Sequence, residues 1–293
     1  MSNRTLRRKP PYFEGWYLKQ QNESETVALI PAFHADTKGS SASLQVITDK
    51  QAYHLAFPAQ EFHMNPDRSI LRLGHSVFSR QGCRMQADSP ECSVQGTLRF
   101  WAQVQPSYDI MGPFCAVPLL QCRHSVFTLF HRVDGSLRIN GTLYSFQNAS
   151  GYWEGDRGVS FPKRYVWTHC SHGGNSIMLS IADIPFLGTS FVGCIGFVYW
   201  NGIEHRIATY LGVRLLHISD DFVLLKQGSL VLKIKLLSTN SHLLRAPQNG
   251  SMSRQIRESA ACRVQYTCKI DGKTLFDFVS EQASFEDNWR NAT

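Results

Sequence analysis

The chain has 293 residues and a formal net charge of +7, with 43% hydrophobic and 12% aromatic residues. That apolar content supports a sizeable core and excludes a globally disordered chain. Arg4, Arg7, Arg8 and Lys9 crowd the first nine positions and the other basic residues are scattered, so no basic stripe tracks a phosphate backbone and no nucleic-acid partner is expected.

In chain order, residues 1–11 read as a solvated basic tail without the apolar run of a signal peptide. Its charge leaves room for weak association with an anionic membrane surface. The longest apolar run, Phe191–Trp200, is about half the ~20 residues that a spanning helix needs, and the expected location is cytoplasmic. Next comes YFEGWYLK (12–19), where Glu14 sits among aromatics. On a strand, Tyr12, Glu14, Trp16 and Leu18 share one face and Phe13, Gly15 and Tyr17 the other, so no register gives Glu14 a polar face. Glu14 is therefore expected to be shielded from water and paired with an arginine or lysine.

Strands are predicted at Val27–Phe33, Ser43–Thr48, Tyr53–Phe57 and Ser69–Phe78. Val126–Val133 and Ser136–Ile139 follow, with hairpin turns at Asp134-Gly135 and Asn140-Gly141. Further on, Phe191–Trp200, Ile203–Tyr210, Val213–His217, Phe222–Lys226, Ser229–Leu237, Arg263–Ile270 and Lys273–Ser280 read as strands, punctuated by Asn201-Gly202, Asp220-Asp221, Gln227-Gly228 and Asp271-Gly272. Helical periodicity is confined to a turn or two near Phe285–Trp289. The expected fold class is all-β, an antiparallel meander closing into barrels or sandwiches. YFEG (12–15) returns as YWEG (152–155), offset by 140 positions, close to half the chain. With the two series of hairpins, this suggests two related β domains, 10–147 and 148–293, each opening on an acid-bearing aromatic strand.

The stretch GYWEGDRGVSFPKRYVWTHC (151–170) sets Glu154, Asp156, Arg157, Lys163 and Arg164 among aromatics. Burial raises a carboxyl's pKa, so an acid placed there can stay protonated and act as a general acid. The plainer reading pairs Glu154 and Asp156 with Arg157 and Lys163 as structural ion pairs. His169 and His172 have metal-ligand spacing but no third ligand; a turn before Gly173-Gly174 explains them, and no metal is expected. His124 and His131, in a strand-like run, read as hydrogen-bonded structural histidines. Eight cysteines without a CxxC pair read as buried reduced thiols. No GxSxG, P-loop or GxGxxG motif occurs. In GSMSRQIRES (250–259), Arg254, Arg257 and Glu258 read either as a solvated connection or as a lid or partner for one of the acids.

YFEGWY, MGPF (111–114) and GYWEGDRGVSFPKRYVWT (151–168) together resemble the tocopherol cyclase family, as do RIATY (206–210), LRAP (244–247) and the GxMxRxIxES pattern of 250–259. The resemblance runs from about residue 10 to residue 288. It implies two antiparallel lipocalin-like β-barrel domains, of the kind found in carotenoid hydratase-like proteins. It also implies cofactor-free, acid-catalysed cyclisation of a lipophilic prenylated hydroquinone-like substrate. On that reading Glu154 or Asp156 donates the proton and Glu14 is the second acid or base. Trp16, Tyr17, Trp153, Arg157, Tyr165 and Trp167 surround the substrate. The block here reads EGDRG rather than the E-K-D-W-G type of the name-giving cyclases, and Arg157 in that place favours an ionised Asp156. The competing reading is a non-catalytic lipocalin-like carrier or sensor of a lipophilic molecule.

Overall fold

The structure, a computed structural model, describes residues 9–117, 120–186, 188–239 and 241–289. The basic cluster Arg4, Arg7 and Arg8 lies outside the described residues. Among those described, the fold consists of two antiparallel sheets and short 3-10 turns. Sheet A holds β1 (Tyr12–Gln21), β2 (Thr26–Asp36), β3 (Gly39–Thr48), β4 (Ala52–Pro58), β5 (Phe62–Met64), β6 (Ile70–Leu73), β7 (Ser76–Ser79), β8 (Gly82–Asp88), β9 (Ser93–Val104), β10 (Cys122–Ile139) and β11 (Thr142–Gly158). Sheet B holds β12 (Tyr165–His172), β13 (Asn175–Phe186), β14 (Thr189–Trp200), β15 (Ile203–Ala208), β16 (Arg214–Ile218), β17 (Phe222–Gln227), β18 (Leu230–Ser238), β19 (His242–Gln248), β20 (Ser251–Ile270) and β21 (Lys273–Asp287).

Both sheets follow one plan. The first strand pairs with the last, β1 with β11 and β12 with β21, and the meander runs outward to two edges. Those edges are consecutive in the chain and separated by a 3-10 turn, Ala59–Glu61 in sheet A and Thr209–Leu211 in sheet B. Each sheet thus curls almost shut on itself, which leaves only a short edge exposed. The result is an all-β fold of two lipocalin-like barrels. Each barrel has its own apolar filling, around Trp16, Leu44, Phe78 and Trp153 in the first and Val198, Leu232 and Tyr266 in the second. A third apolar layer, with Tyr17, Tyr152, Trp167 and Phe197, fills the seam between the sheets. Burying such side chains contributes roughly 2 kcal/mol each, before the entropy of ordering them is set against it.

Several turns fall where the dipeptides put them. Asn140-Gly141, Asn201-Gly202 and Asp271-Gly272 all have positive φ at both residues, the conformation of tight hairpins. Asp134-Gly135 does not turn. β10 runs straight through it as an 18-residue strand; the register shift between Val133 and Gly135 puts the extra residue on the facing strand β11, where Asn148 has φ 50°. The strand expected at 69–78 breaks into two at Gly74. Phe285 continues β21 instead of starting a helical turn, and 251–259 is part of the 20-residue β20. β11 likewise reads through 147–151 to Gly158, so the chain crosses between sheets at 159–164.

The two YxEG segments also sit differently from the expectation that each opens a domain. Both belong to sheet A, on neighbouring strands, with Glu14 opposite Arg157, Trp16 opposite Gly155 and Tyr17 opposite Glu154. Gly155 is required there, since a Cβ would stand 2.9 Å from Phe127, from Trp16 and from the Gly15 carbonyl.

Candidate functional site

Strand alternation divides the acid-rich ladder into two faces. Glu14, Trp16, Trp153 and Arg157 point to the first barrel's side; Tyr17, Tyr152, Glu154 and Asp156 point to the seam. Glu14 is buried, takes a hydrogen bond from Tyr12 (2.8 Å) and pairs with Arg68 Nε at 2.5 Å. Its shielding and its arginine partner are as the sequence required, but the structure does not bring it to Glu154. Trp153 packs against Trp16 and Phe127 in the first barrel, with ring centres 4.9 and 4.6 Å apart.

In the seam, β10 supplies a residue that sequence reasoning had read as merely structural. His124 stands opposite Asp156 in register, and its Nδ1 lies 3.0 Å from Asp156 Oδ1. Its Nε2 lies 3.2 Å from Glu154 Oε2, close enough for an ion pair though off the line of a hydrogen bond. Burial alone would pull the imidazole's pKa down; the two carboxylates outweigh it and hold the ring cationic, well above its usual range. The cation of the cluster is therefore His124. Lys163 and Arg164 are exposed, and Arg157 lies on the other face of its strand. Glu154 Oε2 also accepts from Tyr152 (2.6 Å) and from Trp167 Nε1 (3.3 Å), while Asp156 accepts from the Cys122 thiol (3.3 Å). Burial and Glu154 push the Tyr152 phenol well above its ordinary pKa, which keeps it a donor. His131, by contrast, is the structural histidine expected: it bonds Thr128 at 2.8 Å, and burial lowers its pKa to about 3.

Sheet B faces this cluster with a second pair of acids. Glu258 on β20 stands directly opposite Glu286 on β21, and Trp167 on β12 stands opposite Glu286 from the other side. Tyr165 donates to Glu286 at 2.7 Å, and Tyr17 bonds Ser284 at 3.0 Å and reaches Glu258. Burial raises the Glu286 carboxyl to about 7, with Glu154 and Asp156 pushing the same way. Burial and the adjacent Glu286 push Glu258 well above the carboxylate range. Glu258 belongs to the segment for which a solvated connection was one reading; it is 1% exposed. Arg254, on the same strand, ties down the crossing between sheets through the carbonyls of Pro162 and Lys163.

Two cavities open onto these acids. One is a cleft of about 100 Å³ lined by Met111, Phe114, Tyr165, Trp167 and Ile195 together with His124. The other, about 70 Å³, is lined by Trp16, Tyr17, Ile30, Leu244 and Ile256 together with Glu258. Glu154, Asp156, Phe161 and Glu286 line both. Of the residues singled out in the sequence, Glu154, Asp156, Trp16, Tyr17, Tyr165 and Trp167 thus meet at the cavities, whereas Glu14, Trp153 and Arg157 line neither. An apolar wall with a few convergent polar groups is the usual make-up of a small-molecule site.

His124, Glu154 and Asp156 also place one potential ligand atom each within 4.8 Å of one another, which makes them the metal-capable group among the described residues. Both ring nitrogens already face carboxylates, so a metal there would have to displace the imidazolium's proton from one of them. His169 and His172 do not converge. Three apart on a strand, they face opposite ways: His169 is buried and stacks on Tyr152 at 3.9 Å, and His172 stacks on Phe278 at 4.0 Å. All eight cysteines are free thiols, with Cys115 and Cys122 partly exposed and the other six buried. No helix among the described residues is long and apolar enough to cross a membrane.

No family model matches the chain, and no curated protein matches its sequence. Solved structures do match its fold. A protein designated AttH from Nitrosomonas europaea is 11% identical, with a TM-score of 0.55 over 94% of this chain and 92% of its own. CghA in complex with Sch210972 is 11% identical, with a TM-score of 0.57 over 96% and 89%. Kievitone hydratase from Nectria haematococca is 10% identical, with a TM-score of 0.54 over 95% and 89%. Likeness across nearly the whole of each chain at such low identity places this protein in the same two-barrel, lipocalin-like architecture.

Proposed function

We propose that the seam is an active site for acid–base chemistry on a lipophilic, unsaturated small molecule. The reaction in view is intramolecular cyclisation of a prenylated hydroquinone-like substrate. A proton adds to the prenyl double bond, the substrate's own hydroxyl oxygen bonds to the resulting tertiary cation, and the hydroxyl proton returns to the protein. Atoms balance without a change of oxidation state.

The observation that carries this reading is the meeting of four carboxyl groups and the His124 imidazolium with the aromatic walls of two apolar cavities. A cation forming in that cleft lies near the carboxylates of Glu154 and Asp156 and the π-faces of Tyr165 and Trp167, all of which favour positive charge. The apolar lining keeps water from capturing it. The resemblance of 151–168 to tocopherol cyclases supports the same chemistry. So does a fold shared with a kievitone hydratase, whose name denotes the related addition of water.

The test is turnover. Purified protein incubated with a prenylated hydroquinone is expected to give a cyclised product of unchanged mass, resolved by chromatography with mass detection. Glu154→Gln, which keeps shape and removes charge, is expected to lower kcat about 100-fold or more with little change in thermal stability. A stoichiometric bound lipid, with no turnover by the wild type, would overturn the enzyme reading in favour of a carrier.

A further inference from the structure

The geometry points to Glu258 and Glu286 as a proton-sharing pair that supplies the reaction's proton through Glu286 and recovers it through Glu258. This rests on the proposed cyclisation and names the acid that drives it.

Glu154, the acid singled out in the sequence, is placed as an acceptor. Two neutral donors and an imidazolium converge on its Oε2. Glu258 and Glu286 are arranged oppositely. They are direct cross-strand partners, the position in which two like charges repel most, and both line the second cavity. Two carboxyl groups held side by side there escape that repulsion when one keeps its proton.

The surroundings do not relieve the repulsion by ionic means. From β11, Glu154 and Asp156 add negative charge; from β10, His124 faces those two acids; Tyr17 and Tyr165 are neutral donors whose pKa burial raises further. Arg254 on β20, its guanidinium 5.8 Å from the Tyr165 ring, is held by the Pro162 and Lys163 carbonyls; Lys19 on β1 bonds the Gln282 carbonyl at 2.7 Å, and burial lowers it to about 8.

Position assigns the two roles. Glu286 lines both cavities, so a proton leaving it reaches a double bond lying across the junction. Glu258 lines the second cavity, is 1% exposed, and its Oε1 has no hydrogen-bond partner. A buried oxygen without a partner costs free energy, and a substrate hydroxyl in that cavity would supply the missing hydrogen bond. The cycle then closes. Glu286 gives its proton to carbon, the hydroxyl oxygen bonds to the cation, and the hydroxyl's proton passes to Glu258 Oε1 to restore the shared proton. The substrate class follows: an apolar molecule whose alkene and hydroxyl are held on either side of the Glu258–Glu286 pair.

Infrared spectroscopy tests the pair without any substrate. Wild-type protein in heavy water, titrated from about pH 5 to about pH 9, is expected to show a carboxylic-acid carbonyl band that survives at neutral pH and fades above it. The band should move by more than about one pH unit in both Glu258→Gln and Glu286→Gln. It should stay in place in Glu281→Gln, which alters an exposed carboxyl paired with Arg263. Absence of the band from the wild type, or a band indifferent to both variants, would overturn the pair and leave the cyclase reading to another acid. With a prenylated hydroquinone as probe, Glu286→Gln is expected to lose at least about 100-fold in kcat. The alkaline limb of the wild-type rate should follow the band. Undiminished turnover by Glu286→Gln would overturn the donor role, and no turnover by the wild type would overturn reaction and donor together while the pair still stands on its spectrum.

Discussion

Glu14 and Glu258 are both buried glutamates among aromatic side chains, 3% and 1% exposed, yet they are built on opposite plans. Glu14 has a guanidinium at 2.5 Å and a phenol at 2.8 Å, so its charge is met where it lies. Glu258 has a second carboxyl as its cross-strand neighbour and an oxygen with no partner. The first arrangement is that of a side chain holding a barrel together. The second leaves a group poised to exchange a proton, and it lies on a cavity wall where the first does not. Burial of an acid alone therefore says little about function; the charge of its nearest partner separates the two cases.

The sharpest way to break the comparison is to remove the cation from the structural member. Arg68→Ala takes from buried Glu14 the guanidinium at 2.5 Å and is expected to cost about 3 kcal/mol, read as a lower denaturant midpoint at unchanged slope. Glu258→Gln, at an equally buried glutamate, should leave the midpoint at neutral pH nearly unchanged, because the glutamine amide can donate towards Glu286 in place of a protonated carboxyl. A larger loss in Glu258→Gln than in Arg68→Ala would reverse the assignment of the two sites.

The next expected effect lies in pH. Glu286 has a folded pKa of about 7 against an ordinary 4.5. A raised carboxyl contributes stability that is fully present below pH 4.5 and is lost as pH rises through about 7. His124 is also raised, so its contribution is complete below 6.5 and is lost higher still. The wild type is therefore expected to lose on the order of 2 kcal/mol between about pH 5 and about pH 8, and Glu286→Gln to flatten that slope. Equilibrium urea unfolding at a series of pH values reads both. A wild type whose stability is level across the range would remove the physical difference between the two glutamates.

How much of this was legible in the sequence follows from what each signal depends on. Turns with Asn-Gly or Asp-Gly between apolar runs gave the all-β class, since the positive φ they need is local. Alternation placed Glu14 and Trp16 on one face and Tyr17 on the other, and burial of Glu14 followed from its aromatic neighbours. What pairs with what was not legible. His124 meets Asp156 because β10 and β11 share a register set by a bulge, and Glu258 meets Glu286 across a ladder whose two strands looked like a polar connection and a helical turn. The YxEG echo misled for a similar reason: two like segments pair across a ladder as readily as they open two domains, and only the sheet order tells these apart. Arg157 illustrates the shortest-range error. It is adjacent to Asp156 in sequence, and on a strand adjacency puts two side chains on opposite faces.

The smallest expected effect concerns how the seam holds Glu154 in its acceptor role. Trp167 donates to Glu154 Oε2 at 3.3 Å, a longer bond than the 2.6 Å one from Tyr152, and its ring lines the cleft beside Tyr165. Trp167→Phe keeps an aromatic face and removes the N–H. Loss of one long hydrogen bond to a carboxylate that retains its closer partners should cost about 1 kcal/mol in stability. It should lower turnover by several-fold, less than Glu154→Gln does, because the charge that faces the cation remains. Tyr152→Phe removes the shorter bond and should cost more on both counts. If the order of the two variants is inverted in turnover but not in stability, the indole acts on the cation through its π-face rather than on Glu154 through its N–H, and the cleft's aromatic wall rather than its carboxylate becomes the principal stabiliser of positive charge.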